Sequence, residues 1–226
     1  MKIEMGESLM QSYLKHIKGC LITQTNWKTL RSWKKSNEDE FEKHFNKANN
    51  KFEEIKKAYP KEEYPNIFSE KTTFEKMINQ AELDIIGIAN DKIYMVEIAF
   101  HEQGLRYGSD DNKVRDRVLK KMIRAYLIWK IYFSNYSCEI IFASPKVNPS
   151  PDGLLNECFS KLAKDNFYKK DKVEFKYLSN KKFKEEILLP TLKTLKSDSD
   201  TSELFLRSAK LLKICGIIKS KNKCDN

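Results

Sequence analysis

The 226-residue chain has no apolar run approaching the roughly 18 residues of a membrane span, and its N-terminus, MKIEMGESL, lacks the apolar stretch of a signal peptide. A membrane partner is therefore not expected, and a cytoplasmic location is. Cys-x-x-Cys pairs are also missing. The five cysteines, Cys20, Cys138, Cys158, Cys215 and Cys224, are odd in number and widely spaced, which fits reduced thiols and gives a structural zinc site little support. There is no internal repeat and no low-complexity tract. The length suits one large domain with a genuine core and is short for two.

Charge, by contrast, is plentiful. Lys and Arg number 42 against 32 Asp and Glu, a formal net charge of +10, which points toward polyanionic partners. A lysine-rich coding bias would give the same number, so the charge gains meaning only beside a site that handles anions.

The stretch from Ala81 to Gly108, AELDIIGIANDKIYMVEIAFHEQGLRYG, brings together alternating hydrophobicity, a tight turn and acids. Leu83, Ile85, Tyr94, Val96, Ile98 and Phe100 fall at every second position of two runs, which predicts strands over Glu82 to Ala89 and Lys92 to His101. Asn90-Asp91 suits a two-residue hairpin turn. Counting outward from Ala89 opposite Lys92 sets Asp84 across from Glu97, with Cβ atoms about 5 Å apart on one face. His101 would extend that face.

Two opposed carboxylates repel, and beneath a helix they also lose hydration, so they cost stability unless a cation lies between them. Hard oxygen donors suit Mg²⁺ or Mn²⁺. On a solvated face the same acids would only keep the hairpin soluble. Ile86, Ile88, Ile93 and Met95 share their face, however, which confines the acids to the open end of a pair otherwise apolar on both sides.

Around the hairpin, helical spacing of Met5, Leu9, Tyr13 and Ile17 predicts a first helix over Met1 to Lys18, ended by Gly19, with Glu7 at the border of its apolar stripe. Cys20 to Lys28 reads as a strand in which Asn26 and Trp27 face opposite ways. Residues 31–70 form a charged helical insertion whose Phe41, Phe45, Phe52, Ile55 and Tyr59 recur at helical spacing. A short helix follows over Thr72 to Gln80, capped by Thr72 or Thr73. Asn112 to Phe133 is the longest helix, with a stripe of Val114, Val118, Met122, Ala125, Trp129 and Tyr132 that has Lys121 at its edge. Ser137 to Val147 is a fourth strand, and residues 148–226 form a C-terminal α/β extension. Its last helix is capped by Asp200, Thr201 or Ser202 and packed down by Leu204, Ala209, Leu211, Leu212 and Ile214.

The order helix with Glu7, strand, strand with Asp84, strand with Glu97, helix with Lys121, strand resembles the αβββαβ core of the PD-(D/E)XK, or restriction-endonuclease-like, nuclease superfamily over roughly residues 1–147. The resemblance implies a single α/β domain with a central mixed sheet flanked by helices. It also implies metal-assisted hydrolysis of phosphodiester bonds, most naturally by a DNA endonuclease of restriction or defence type. Asp84 and Glu97 would bind Mg²⁺ or Mn²⁺, with Glu7 as the first-helix acid. The family's lysine usually stands two residues beyond the second acid, where this chain has Ala99. Some members carry it on the next helix, the place of Lys121. His101 would orient water or act as a base. Arg106 and Tyr107 on the following loop, with Arg117 and Arg124 on the long helix, are the candidate contacts to DNA, or to RNA. A homodimer, common among restriction enzymes, is open, and no heptad seam marks one. The rival readings are a nucleic-acid-binding or assembly protein that keeps the fold without cutting, argued by Ala99, and a scaffold whose charge reflects codon bias.

Overall fold

The computed structural model describes residues 5–29, 37–106, 110–196 and 203–215. The chain opens with helix α1 (Met5–His16), which ends where Gly19 takes a positive φ of 70°, a conformation glycine adopts without steric cost. Strand β1 (Ile22–Lys28) follows, and then α2 (Glu38–Ala58), whose N-cap Asn37 accepts from the Glu40 N–H at 3.1 Å. Phe45, Phe52 and Ile55 of α2 are buried in the main core, and most of the charges on α2 cover its outer side. The short helix α3 (Phe74–Asn79) is capped by Thr73, as expected. The hairpin is formed by β2 (Glu82–Ala89) and β3 (Lys92–Ile98), and α4 (Asp111–Tyr132) leads to β4 (Ser137–Ser144). Helices α5 (Pro149–Lys164) and α6 (Asn166–Lys170) lead to β5 (Val173–Ser179).

The five strands form one mixed sheet in sequence order. β1, β2 and β3 are antiparallel neighbours, while β4 is parallel to β3 and β5 to β4. Both parallel pairs are joined through helices, because parallel neighbours need a long connection, whereas β2 and β3 are joined by a tight turn and the antiparallel pair β1 and β2 through α2 and α3. The protein is thus α/β, a mixed sheet flanked by helices.

Both faces of the sheet are covered, so adjacent strand residues serve two separate cores: Ile86, Met95 and Ile140 pack beneath α4, whereas Ile85, Val96 and Ile141 pack beneath α1. α1 and the segment after it come so close that a Cβ on Gly87 would lie 3.0 Å from Leu14 Cδ1 of the helix and 2.9 Å from Cys20 Sγ beyond its end. Helix α4 lies between the sheet on one side and α2 and α5 on the other, and is buried nearly all round rather than along one stripe.

After β5 the chain runs through α7 (Asn180–Lys182), a π turn (Phe183–Leu188), α8 (Leu189–Lys193) and a 3₁₀ turn (Thr194–Lys196). The helical path continues through Pro190, and just before it the Leu189 N–H donates to the Lys184 carbonyl in the wider π register. Helix α9 (Leu204–Ile214) corrects two expectations. Asp200, Thr201 and Ser202 lie outside the described residues, and Glu203 holds the cap position, its carboxylate bound to Lys15 at 3.3 Å and His16 at 3.2 Å. The helix is also turned so that Leu206 and Ala209 are buried, leaving Leu211 60 % and Ile214 83 % exposed. Four cysteines are free thiols, Cys224 being outside the described residues, and no described helix is long and apolar enough to cross a membrane.

Candidate active site

The hairpin has the register that its turn dictates. Asn90 turns the chain with φ 46°, Ala89 pairs with Lys92, and the ladder continues through Ile86 with Met95 to Ile85 with Val96. One step further out are Asp84 and Glu97, on the α4 side of the sheet. Here regular pairing gives way, and Asp84 Oδ2 accepts the Ile98 N–H at 2.7 Å. A side chain has replaced a strand carbonyl as the acceptor, which locks the Asp84 carboxylate beside the end of β3.

Glu97 is 2 % exposed. Lys121, reaching down from α4, places Nζ 2.5 Å from Glu97 Oε2 and 3.8 Å from Asp84 Oδ2. The cation that the opposed acids require is therefore supplied within the chain. Burial still dominates Glu97: loss of hydration, against the pull of Lys121 and with the added repulsion of Asp84, pushes its carboxyl up to about 8.

Glu7 is nearly buried on α1 and accepts from Asn26 Nδ2 at 3.0 Å. Asn26 itself has φ 52° within β1, between Thr25 paired with Ile85 and Trp27 paired with Leu83, so it stands across from Asp84. Periodicity does not signal this left-handed position, although asparagine is one of the few residues that tolerates it. Trp27 packs edge-on against Tyr132 at 5.6 Å, as a core aromatic should.

β3 ends at Ile98 rather than His101, so His101 does not continue the acid-bearing face. It is exposed in the following turn, where its carbonyl accepts from Gly104 N–H, and Phe100 is 47 % exposed. A turn that ends at Gly104, with φ 87°, follows the strand end, and chain reversal there outweighs the alternating pattern. Arg106 is exposed on this loop, and Tyr107 lies outside the described residues.

Arg117 and Arg124 share one side of α4 with Lys120 and Lys121, and these four line a groove of about 430 Å³ whose opposite wall is Pro65, Asn66 and Ser69. Sequence reading missed that wall. It is fastened by Asp116, fully buried, whose Oδ2 accepts both the Asn66 N–H and its side-chain amide at 3.1 Å, while Arg115 binds Asp116 at 2.8 Å and lies over the Tyr64 ring at 4.5 Å. The polar and aromatic residues of PKEEYPN between the two prolines were the available signal, since an exposed loop needs no such anchor.

Among the described residues no group of three or more His, Cys, Asp or Glu side chains is arranged to hold a metal. Asp84 and Glu97 offer two hard oxygen donors, a set compatible with an ion such as Mg²⁺ that keeps several of its waters. Comparison with protein-family models, with curated proteins and with solved structures finds no match to this chain.

Proposed function

We propose that the protein is a metal-dependent phosphodiesterase of the PD-(D/E)XK type, acting on DNA as an endonuclease. The observation that carries this reading is the convergence of Asp84, Glu97 and Lys121 at the open end of the hairpin, beside a groove lined by cations. The element order α1, β1, β2, β3, α4, β4 agrees with the restriction-endonuclease-like core, with residues 31–70 as the insertion and 148–226 as the extension.

Asp84 and Glu97 would hold Mg²⁺ or Mn²⁺ beside Lys121. When bound, the ion supplies Lewis acidity toward the phosphate and a more acidic water. Lys121 contributes positive charge where the phosphoryl oxygens gain negative charge, the role that lysine plays from the strand in other members of the superfamily. His101 lies beyond the end of β3 and can approach from the loop as a base. Glu7 acts through Asn26, holding β1 against the acid pair. Arg106, Arg117 and Arg124 contact the polynucleotide backbone.

The test is incubation of purified protein with plasmid and with single-stranded DNA in Mg²⁺, in Mn²⁺ and in EDTA, beside Asp84→Ala and Glu97→Ala. Metal-dependent nicking that disappears in both variants is the expected result; equal nicking by either variant sinks the assignment. A second reading, a nucleic-acid-binding protein that has lost cleavage, is favoured by one specific contact. Lys121 already lies against both acids, and Ala99 occupies the usual lysine position. Salt-sensitive binding without cutting would select it.

A further inference from the structure

Several carboxylates elsewhere among the described residues, buried or half-buried, come with their counter-charge. Asp116 has Arg115, Asp171 has Lys130 at 2.6 Å, and Glu139 is approached by Lys18, Lys92 and Lys176. The groove on α4 is built differently, although Lys121 at its edge is bonded to Glu97. Its described lining, Arg117, Lys120, Lys121 and Arg124 facing Pro65, Asn66 and Ser69, contains no carboxylate.

Lys120 and Arg124 lie one helical turn apart, and Arg124 Nε is buried with no hydrogen-bond partner among the described residues. Burial and mutual repulsion lower the pKa of Lys120, and burial lowers that of Arg124, with only Glu97 pulling the guanidinium back. A buried donor left unpaired is costly, and two neighbouring cations add to the cost. The opposite wall supplies a further donor. Ser69 Oγ lies 2.9 Å from Thr72 Oγ1, and when Thr72 donates in that contact the serine hydroxyl is left to point outward. Asn66 gives its backbone N–H and one amide N–H to Asp116 Oδ2, which holds the wall in place.

We infer that Lys120, Arg124 and Ser69 form a phosphate-binding pocket, separate from the acid pair and joined to it through Lys121, which lines the groove and bonds Glu97. A guanidinium edge, an ammonium and a hydroxyl match the tetrahedral oxygens of one phosphate group, and a space of about 430 Å³ leaves room for the sugar attached to it. Resting on the nuclease reading, the occupant is the phosphodiester next to the one at Asp84 and Glu97, so the pocket sets the position of the strand along α4.

The pocket is tested without metal, in EDTA and in an Asp84→Asn background, so that its outcome does not depend on whether the protein cuts. Anisotropy of a labelled single-stranded oligonucleotide is titrated across a range of salt for that protein and for added Lys120→Gln or Arg124→Gln. Each variant is expected to bind roughly tenfold more weakly, with the slope of log affinity against log salt reduced by about 1. Arg124→Lys should recover part of the loss. Inorganic phosphate should raise the thermal midpoint of the parent and not of either variant, which separates a pocket for free phosphate from one that takes phosphate only within a polynucleotide. Oligonucleotide binding unchanged in both variants, with phosphate shifting the thermal midpoint of parent and variants alike or shifting none of them, overturns the pocket. A fall in the thermal midpoint of Arg124→Gln with binding intact also overturns it, because it makes the arginine structural. Should that variant fail to fold, Lys120→Gln, at a half-exposed position, decides the matter.

Discussion

Glu97 and Glu139 lie on neighbouring parallel strands, each 2 % exposed, and meet opposite fates. Glu139 faces the α1 side, where Lys18, Lys92 and Lys176 approach its oxygens at 3.2, 3.1 and 3.1 Å. Burial pushes its pKa up, but three ammonium groups together bring it below the ordinary value. Glu97 faces the α4 side with one lysine and a second carboxylate, and there burial prevails. A buried acid surrounded by cations is finished as a structural element. One that shares a single cation with another acid still has a demand that an external ion can meet.

The comparison can be broken in four ways. The largest expected difference is between two lysines: Lys121→Ala should lower metal-dependent cutting roughly 10³-fold while sparing Mn²⁺ binding, whereas Lys92→Ala should leave the cutting rate unchanged. Equal effects would mean that the α4 lysine has no special place. Next is the cost of removing each acid, read by urea denaturation. Glu139→Ala should lose about 3 kcal/mol, at the low end for a broken buried pair because the lysine side chains remain 20 %, 29 % and 40 % exposed. Glu97→Gln should stay within about 1 kcal/mol of the parent, since the amide removes a buried charge while leaving Lys121 an acceptor.

Mn²⁺ at a hundred times its Kd should stabilise the protein by about 2.7 kcal/mol, an effect that Asp84→Asn abolishes while leaving the metal-free form equally or more stable. A Glu139→Gln variant that lost the Mn²⁺ shift would place the ion on the wrong side of the sheet. The smallest signal is the pH dependence of the thermal midpoint. A carboxyl raised from 4.5 to about 8 holds its proton longer in the folded protein, so the Glu97 contribution falls as pH rises through that window, and Glu97→Gln should flatten this limb. Glu139 has the opposite sign: its contribution is complete above 4.5 and lost on acidification, so Glu139→Gln should flatten the acid limb.

The acid pair was legible because a two-residue turn fixes register and period two then assigns every side chain to a face. Lys121 was legible from helical spacing for the same reason. What spacing could not convey was local departure and distant support. The strand ends at Ile98, three residues before His101, because nothing in the alternation of Phe100 reports that its partner strand has finished. Asn26 leaves regular β geometry in a single residue. The wall formed by Asn66 depends on Asp116, a contact spanning fifty positions that no periodicity contains. On α9 the leucines are helically spaced on more than one side, so spacing alone did not choose the side that Leu206 and Ala209 bury.

β1 borders solvent along its outer edge, beginning with Ile22, 64 % exposed, and the residue before it, Leu21, is 81 % exposed. An open edge of that kind invites another chain to add a strand. The left-handed twist at Asn26 interrupts the row of amide and carbonyl groups midway, so an incoming strand would find only half a template. The bend that serves Glu7 on the inside thus also guards the sheet from open-ended stacking on the outside, and Asn26→Val, by straightening the edge, should trade that protection for aggregation.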